Sequence, residues 1–270
     1  MFSASLLSAL GGVFSLVFLA IALYVYASLL RQISARNSFL EPPPLRVFGA
    51  PEALLAFGLI ALLLLNVLAS FSGRSVELSS RVLLENLLVT VAIVLFIVAV
   101  LLFRGFDLNW LTGFSRMSFR RAIATAIFLL VMAYPLIVLA ERISQGFIGD
   151  DSTRQSIIDL FTGSPTINQR MMVIFFAVAV APIVEEFLFR LFLYGVLKRY
   201  FGRVVGVVFN SLLFGAVHGH LPSFAALFVL GVCFTIAYEW SGSILVSMTM
   251  HALFNSVSLI ALAFPDIFSQ

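Results

Sequence analysis

The sequence predicts an all-α, polytopic integral membrane protein of about eight transmembrane helices, bundled around an intramembrane cavity. Three observations carry this. Of 270 residues, 61% are hydrophobic and 11% charged, with mean hydropathy +1.11, whereas soluble domains average about 25% charged residues. The apolar residues fall in runs near the ~20 residues that a helix needs to cross a bilayer. Charges gather in the short connections between runs, with the exception of one charged cluster inside a late apolar run.

Leu6–Leu30 is too long for the apolar region of a signal peptide and lacks a basic leader, so it reads as the first span. A polar linker follows, and Pro42, Pro43 and Pro44 forbid helix through it. Pro51–Phe71, Val82–Phe103 and Arg121–Ala140 complete four N-terminal spans over residues 6–140. Glu141–Arg170 reads as the longest loop. The C-terminal spans, residues 171–264, are Met171–Tyr194, the short Val204–His218 between Gly202 and Gly219, Pro222–Trp240 and Ser243–Phe264. No internal repeat is visible, and residues 1–270 read as one membrane domain. The single cysteine, Cys233, forms no intramolecular disulfide.

Ten basic residues lie around the loops after spans one, three and five, against five after spans two and four. The positive-inside rule then puts both termini outside the cytoplasm of a bacterial or archaeal cell. Loop-scattered basic residues give no reason to expect nucleic acid as a partner. The expected partners are the lipid bilayer and a peptide or prenylated protein. Trp110 and Trp240, near span ends, read as interface anchors.

The exception is Glu185-Glu186 followed by Arg190, inside the otherwise apolar run Met171–Tyr194. Each charge at the centre of a spanning helix costs about 2.5–3.5 kcal/mol on insertion scales. Uncompensated, lipid-facing charges are therefore disfavoured, and ionisable groups at this depth mark a functional site facing the protein interior. Glu186 and Arg190 are spaced i,i+4 for an intrahelical ion pair. Glu185 points about 100° away and stays free for chemistry. Pro182 kinks this helix and frees a carbonyl.

Two of the three histidines accompany the glutamates. Phe214 and His218 are four residues apart at the end of the sixth span, so the ring can orient the imidazole. His251 and Asn255, also four apart, share one face of the eighth. Helical rise puts Glu185, His218 and Asn255 at about 18–21 Å from one end of their spans, hence at one level. A carboxylate in a low-dielectric cavity is a stronger base than one in water. Glu185 with His218 can thus deprotonate a water, while His251 and Asn255 donate to the oxyanion of a tetrahedral intermediate. His220, after Gly219, reads as an interfacial residue.

Taken together, Glu185-Glu186-x-x-x-Arg190, Phe214-x-x-x-His218 and His251-x-x-x-Asn255 resemble the motifs of the type II CAAX prenyl proteases. The broader family is the CPBP, or Abi, group of CAAX proteases and bacteriocin-processing enzymes. The resemblance covers roughly Met171 to Leu262. It implies an eight-helix bundle with a membrane-open cavity. It also implies a water-activating pair at Glu185 and His218, an oxyanion hole at His251 and Asn255, and supporting roles for Glu186 and Arg190. No cofactor is implied by a glutamate-type mechanism, although the family often carries a metalloprotease label. Zinc held by Glu185, His218 and His251 is the metal alternative. Two other functions compete: a non-catalytic immunity or regulatory factor that binds a peptide or membrane partner, and a proton-coupled transporter. Transporters often show internal repeats, and none is visible.

Overall fold

The computed structural model describes residues 4–36, 46–71, 80–148 and 166–264. Every regular element among them is helical. The helices are α1 (Ala4–Ala35), α2 (Ala50–Phe71), α3 (Ser80–Phe103), the short α4 (Leu108–Thr112), α5 (Phe119–Ile148), α6 (Ile167–Val217), α7 (Phe224–Ser241) and α8 (Ile244–Ala263). All but α4 are long and apolar enough to cross a membrane, which makes seven such helices.

The fifth and sixth expected spans lie on one 51-residue stretch, α6. Gly202 breaks it, with φ 83° and ψ 170°. That conformation suits glycine, which carries no Cβ to clash. The two arms of α6 correspond to the spans expected at Met171–Tyr194 and Val204–His218, so counting them separately recovers the eight-helix reading. One boundary needs correction. The expected loop Glu141–Arg170 is helical at both ends, because α5 runs to Ile148 and α6 starts at Ile167. Good helix formers such as Ala140, Glu141 and Arg142 carry α5 past its apolar run. Residues 149–165 and the proline linker at 37–45 lie outside the described residues.

The first arm of α6 is the centre of the bundle. Every residue from Phe187 to Tyr194 is buried. The second arm packs on α7; α5 packs against α1, α7 and α8. Phe14, Leu65, Phe103 and Phe147 on the outer faces are exposed, as apolar side chains in contact with lipid would be. The Tyr26 hydroxyl donates to the Leu129 carbonyl at 2.8 Å and ties α1 to α5.

The turn after α3 is fixed by polar chemistry. Asp107 accepts from the backbone N–H groups of Asn109 and Trp110 and so caps α4. Gly113, at φ 63°, ends that helix against the end of α7: a Cβ there would stand 1.8 Å from the Gly242 carbonyl oxygen.

Candidate active site

The helix that carries Glu185 and Glu186 is not a regular α-helix. It passes through two π-helical segments, Phe176–Val180 and Phe187–Leu193, with the α-helical Ala181–Glu186 between them. Such bulges are rare and are frequent at functional sites. The first has a local cause. The Ala181 N–H bonds back to the Phe176 carbonyl in the wider register, and Pro182 has no N–H to offer the next carbonyl. The Ala177 carbonyl instead accepts from Asn255 Nδ2 at 2.7 Å. The carbonyl that Pro182 was expected to free is therefore the one that fixes Asn255.

Glu186 and Arg190 are both fully buried, with Arg190 Nε 3.1 Å from Glu186 Oε2. The contact is an ion pair by distance without an aligned hydrogen bond. Aromatic rings complete the guanidinium's surroundings. Its carbon lies 4.3 Å from the centre of Phe214, 5.2 Å from Phe234 and 5.8 Å from Phe189. Ring faces attract cations most strongly when water is excluded.

The other oxygen of Glu186, Oε1, lies 3.0 Å from His251 Nδ1. An ionised carboxylate only accepts, so Nδ1 carries the proton and Nε2 faces away from Glu186. His251 Nε2 is 3.9 Å from Glu185 Oε2, too far for a direct hydrogen bond. The Glu185 side chain keeps 28% exposure, whereas those of Glu186, Arg190 and His251 keep 3% or less. Glu185 is therefore the acid of the pair that an incoming molecule can reach.

His218 caps the second arm of α6, and its Nδ1 lies 2.7 Å from the Phe214 carbonyl oxygen. A carbonyl only accepts, so here too Nδ1 holds the proton and Nε2 keeps a lone pair. Phe214 links the histidines: its ring centre is 5.0 Å from that of His218 and 5.7 Å from that of His251. Phe234 packs against the other side of the group, 5.2 Å from His251.

Glu185, Glu186, Arg190 and His251 thus meet directly, and Phe214 joins His218 to them. Asn255 reaches the same helix about two turns away from Glu185, at Ala177. His220 Nδ1 lies 2.8 Å from Ser223 Oγ in the turn between α6 and α7. Sequence reasoning did not foresee the Glu186–His251 bond, nor Phe234 and Phe189 around Arg190. Nothing marks those phenylalanines among the 29 in the chain. Among the described residues, no group of three or more His, Cys, Asp or Glu side chains could hold a metal ion.

Two carboxylates and two imidazoles are thus held at fixed orientations inside an apolar helix bundle. Comparison with known proteins shows what this part of the chain is similar to. Residues 167–257 match the family model for Rce1-like type II CAAX prenyl endopeptidases. Over 93 residues the chain is 29% identical to the membrane-embedded CAAX protease MroQ of Staphylococcus aureus (strain USA300). That match covers 32% of this chain and 38% of the relative, so the chain spans well under half the length of the curated protein it matches. No solved structure matches it at a significant level. The late spans are similar to Rce1-like CAAX proteases, as the three motifs imply.

Proposed function

We propose that this protein is an intramembrane endopeptidase in which Glu185 is the general base. One observation carries the reading: the Glu185 side chain is the partly exposed acid of an otherwise buried cluster, and its Oε2, itself buried, has no hydrogen-bond partner. A water held between Glu185 and the Nε2 lone pair of His218 attacks the scissile carbonyl carbon, and Glu185 takes its proton. The carbonyl oxygen becomes an oxyanion. Asn255 Nδ2 has two N–H groups, one of which is committed to Ala177; the second donates to the oxyanion. His251 Nε2 joins it only as imidazolium, because Glu186 already holds the Nδ1 proton. Collapse of the intermediate breaks the C–N bond, and the proton returns from Glu185 to the leaving amine. Glu186 and Arg190 orient His251.

Similarity to Rce1-like CAAX proteases supports a CAAX-type C-terminus or a peptide precursor as substrate, reached from the bilayer. The mechanism needs no metal. The reading of the loops puts both termini outside the cytoplasm. It is supported by the meeting, at one end of the bundle, of basic residues from the loops after spans one, three and five.

The test is cleavage of a fluorogenic farnesyl-CAAX peptide and an unprenylated control by purified protein in detergent. Wild type, Glu185→Ala and chelator-treated samples run in parallel. General acid–base catalysis contributes about 10²–10⁴-fold, so Glu185→Ala should lose at least that much while the chelator changes nothing. Full activity in Glu185→Ala would overturn the assignment of the base. Loss with chelator, restored by zinc, would move the mechanism to a metal.

A further inference from the structure

At the end of the bundle away from His218 and Gly219 lies a cavity of about 790 Å³, within the usual range for small-molecule sites. We propose that this cavity binds a phosphate-type anion, either the headgroup of an anionic lipid or soluble phosphate. The inference is independent of the protease reading. Tyr194, in its wall, lies nine residues along α6 from Glu185, or about 14 Å.

The wall is cationic. Among the described residues, Arg36, Arg46, Arg116, Lys198, Arg199 and Arg203 line it, against one carboxylate, Glu239. These residues come from the connection just after α1 and just before α2, the turn before α5, the middle of α6 and the end of α7, so the fold brings them together from across the sequence. Glu239 is already committed. Its Oε1 accepts from Lys198 Nζ at 2.5 Å and from Arg203 Nε at 3.1 Å. Arg36 donates to the backbone carbonyls of Glu239 and Trp240, and Arg116 stacks on Trp110 at 5.3 Å. Arg46 and Arg199 are exposed and have no ion-pair partner among the described residues.

A surplus of this size repels itself, and an anion among the guanidinium groups relieves it. Guanidinium forks match the paired oxygens of a phosphate and bind them bidentately. The depth is also suitable. Each cation lies near a span end or beside the Gly202 break, where lipid headgroups lie and where basic residues attract anionic lipid. Phe48 and Phe106, stacked at 5.2 Å, give the cavity an apolar wall next to the charged one. An amphiphile with a phosphate and a hydrocarbon chain satisfies both walls, whereas inorganic phosphate satisfies only the cationic one.

The experiment is native mass spectrometry on the full-length protein, delipidated in maltoside detergent and offered equal phosphatidylglycerol and phosphatidylcholine. Phosphatidylglycerol should be retained preferentially, and the double variant Arg46→Gln/Arg199→Gln should cut that preference by about thirtyfold. An unchanged thermal midpoint of the delipidated variant confirms that the fold survives. Inorganic phosphate at millimolar concentration is the second arm. Displacement of the lipid by phosphate assigns the site to soluble phosphate, and retention assigns it to the lipid; both outcomes support an anion site. Equal retention of the two lipids, or a preference that the double variant leaves intact, overturns it.

Discussion

Replacing Glu186 with Gln should damage the protein in two separable ways. Arg190 is fully buried and has Glu186 as its charge partner. Removing one member of a buried pair costs about 3–5 kcal/mol, because the other charge stays desolvated without compensation. The cation–π contacts with Phe214 and Phe234 offset part of that, by about 2 kcal/mol when desolvated. The second effect is on His251, which loses the carboxylate that holds its Nδ1 proton; loss of the orienting partner of a metal-bound histidine costs about 10–100-fold, and a loss of that order is expected here. The double variant Glu186→Leu/Arg190→Met separates the two. It removes both charges, leaves an apolar chain and a thioether against the rings, and should restore stability to within about 1–2 kcal/mol of wild type, since apolar replacements of buried pairs are often neutral or better. Activity should stay down by the same 10–100-fold. The assays are denaturation midpoint in detergent and peptide cleavage under identical conditions. If the double variant were as unstable as Glu186→Gln, the buried-charge argument would fail. If it cleaved at the wild-type rate, Glu186 would have no part in orienting His251.

Two further outcomes follow from the same geometry. Asn255→Leu should cost about 1–3 kcal/mol in stability beyond any loss of cleavage, because the Ala177 carbonyl loses its donor; an Asn255→Leu variant that melts like wild type would show that this bond contributes nothing. Gly113→Ala should fail to accumulate as folded protein, because a Cβ 1.8 Å from the Gly242 oxygen, at a φ of 63°, forces backbone apart; normal expression and an unshifted midpoint would refute the packing of α4 on α7.

Part of the candidate site's geometry was legible in the sequence, and the physics explains which part. In a membrane protein a charge within a span is costly enough to need a reason, so Glu185, Glu186 and Arg190 stand out from a run of apolar neighbours without any structural knowledge. Helical spacing then correctly paired Glu186 with Arg190 and placed His251 and Asn255 on one face, since both turn towards the first arm of α6. Spacing could not assign partners between helices. The expectation that His251 acts beside Asn255 in an oxyanion hole did not include the bond to Glu186, because that bond depends on the rotation of α8 against α6, which no local pattern encodes. The aromatic cage around Arg190 was hidden for the opposite reason: a phenylalanine serving a buried cation looks the same in sequence as one facing lipid.

The proline signal shows how a local rule becomes a tertiary one. Pro182 leaves a carbonyl without its helical donor, and an unsatisfied carbonyl inside a bilayer is expensive. The structure meets that need in two steps. The helix widens over Phe176–Val180 so that the Ala181 N–H passes to Phe176, and the remaining carbonyl, at Ala177, takes the amide of Asn255 from α8. The requirement to satisfy one backbone oxygen therefore fixes the register of α8 against α6. One turn back along α8, the same register sets His251 between Glu185 and Glu186. A defect in the helix that carries the acids thus positions the histidine that serves them, and for this reason the proline and the asparagine have to be read together.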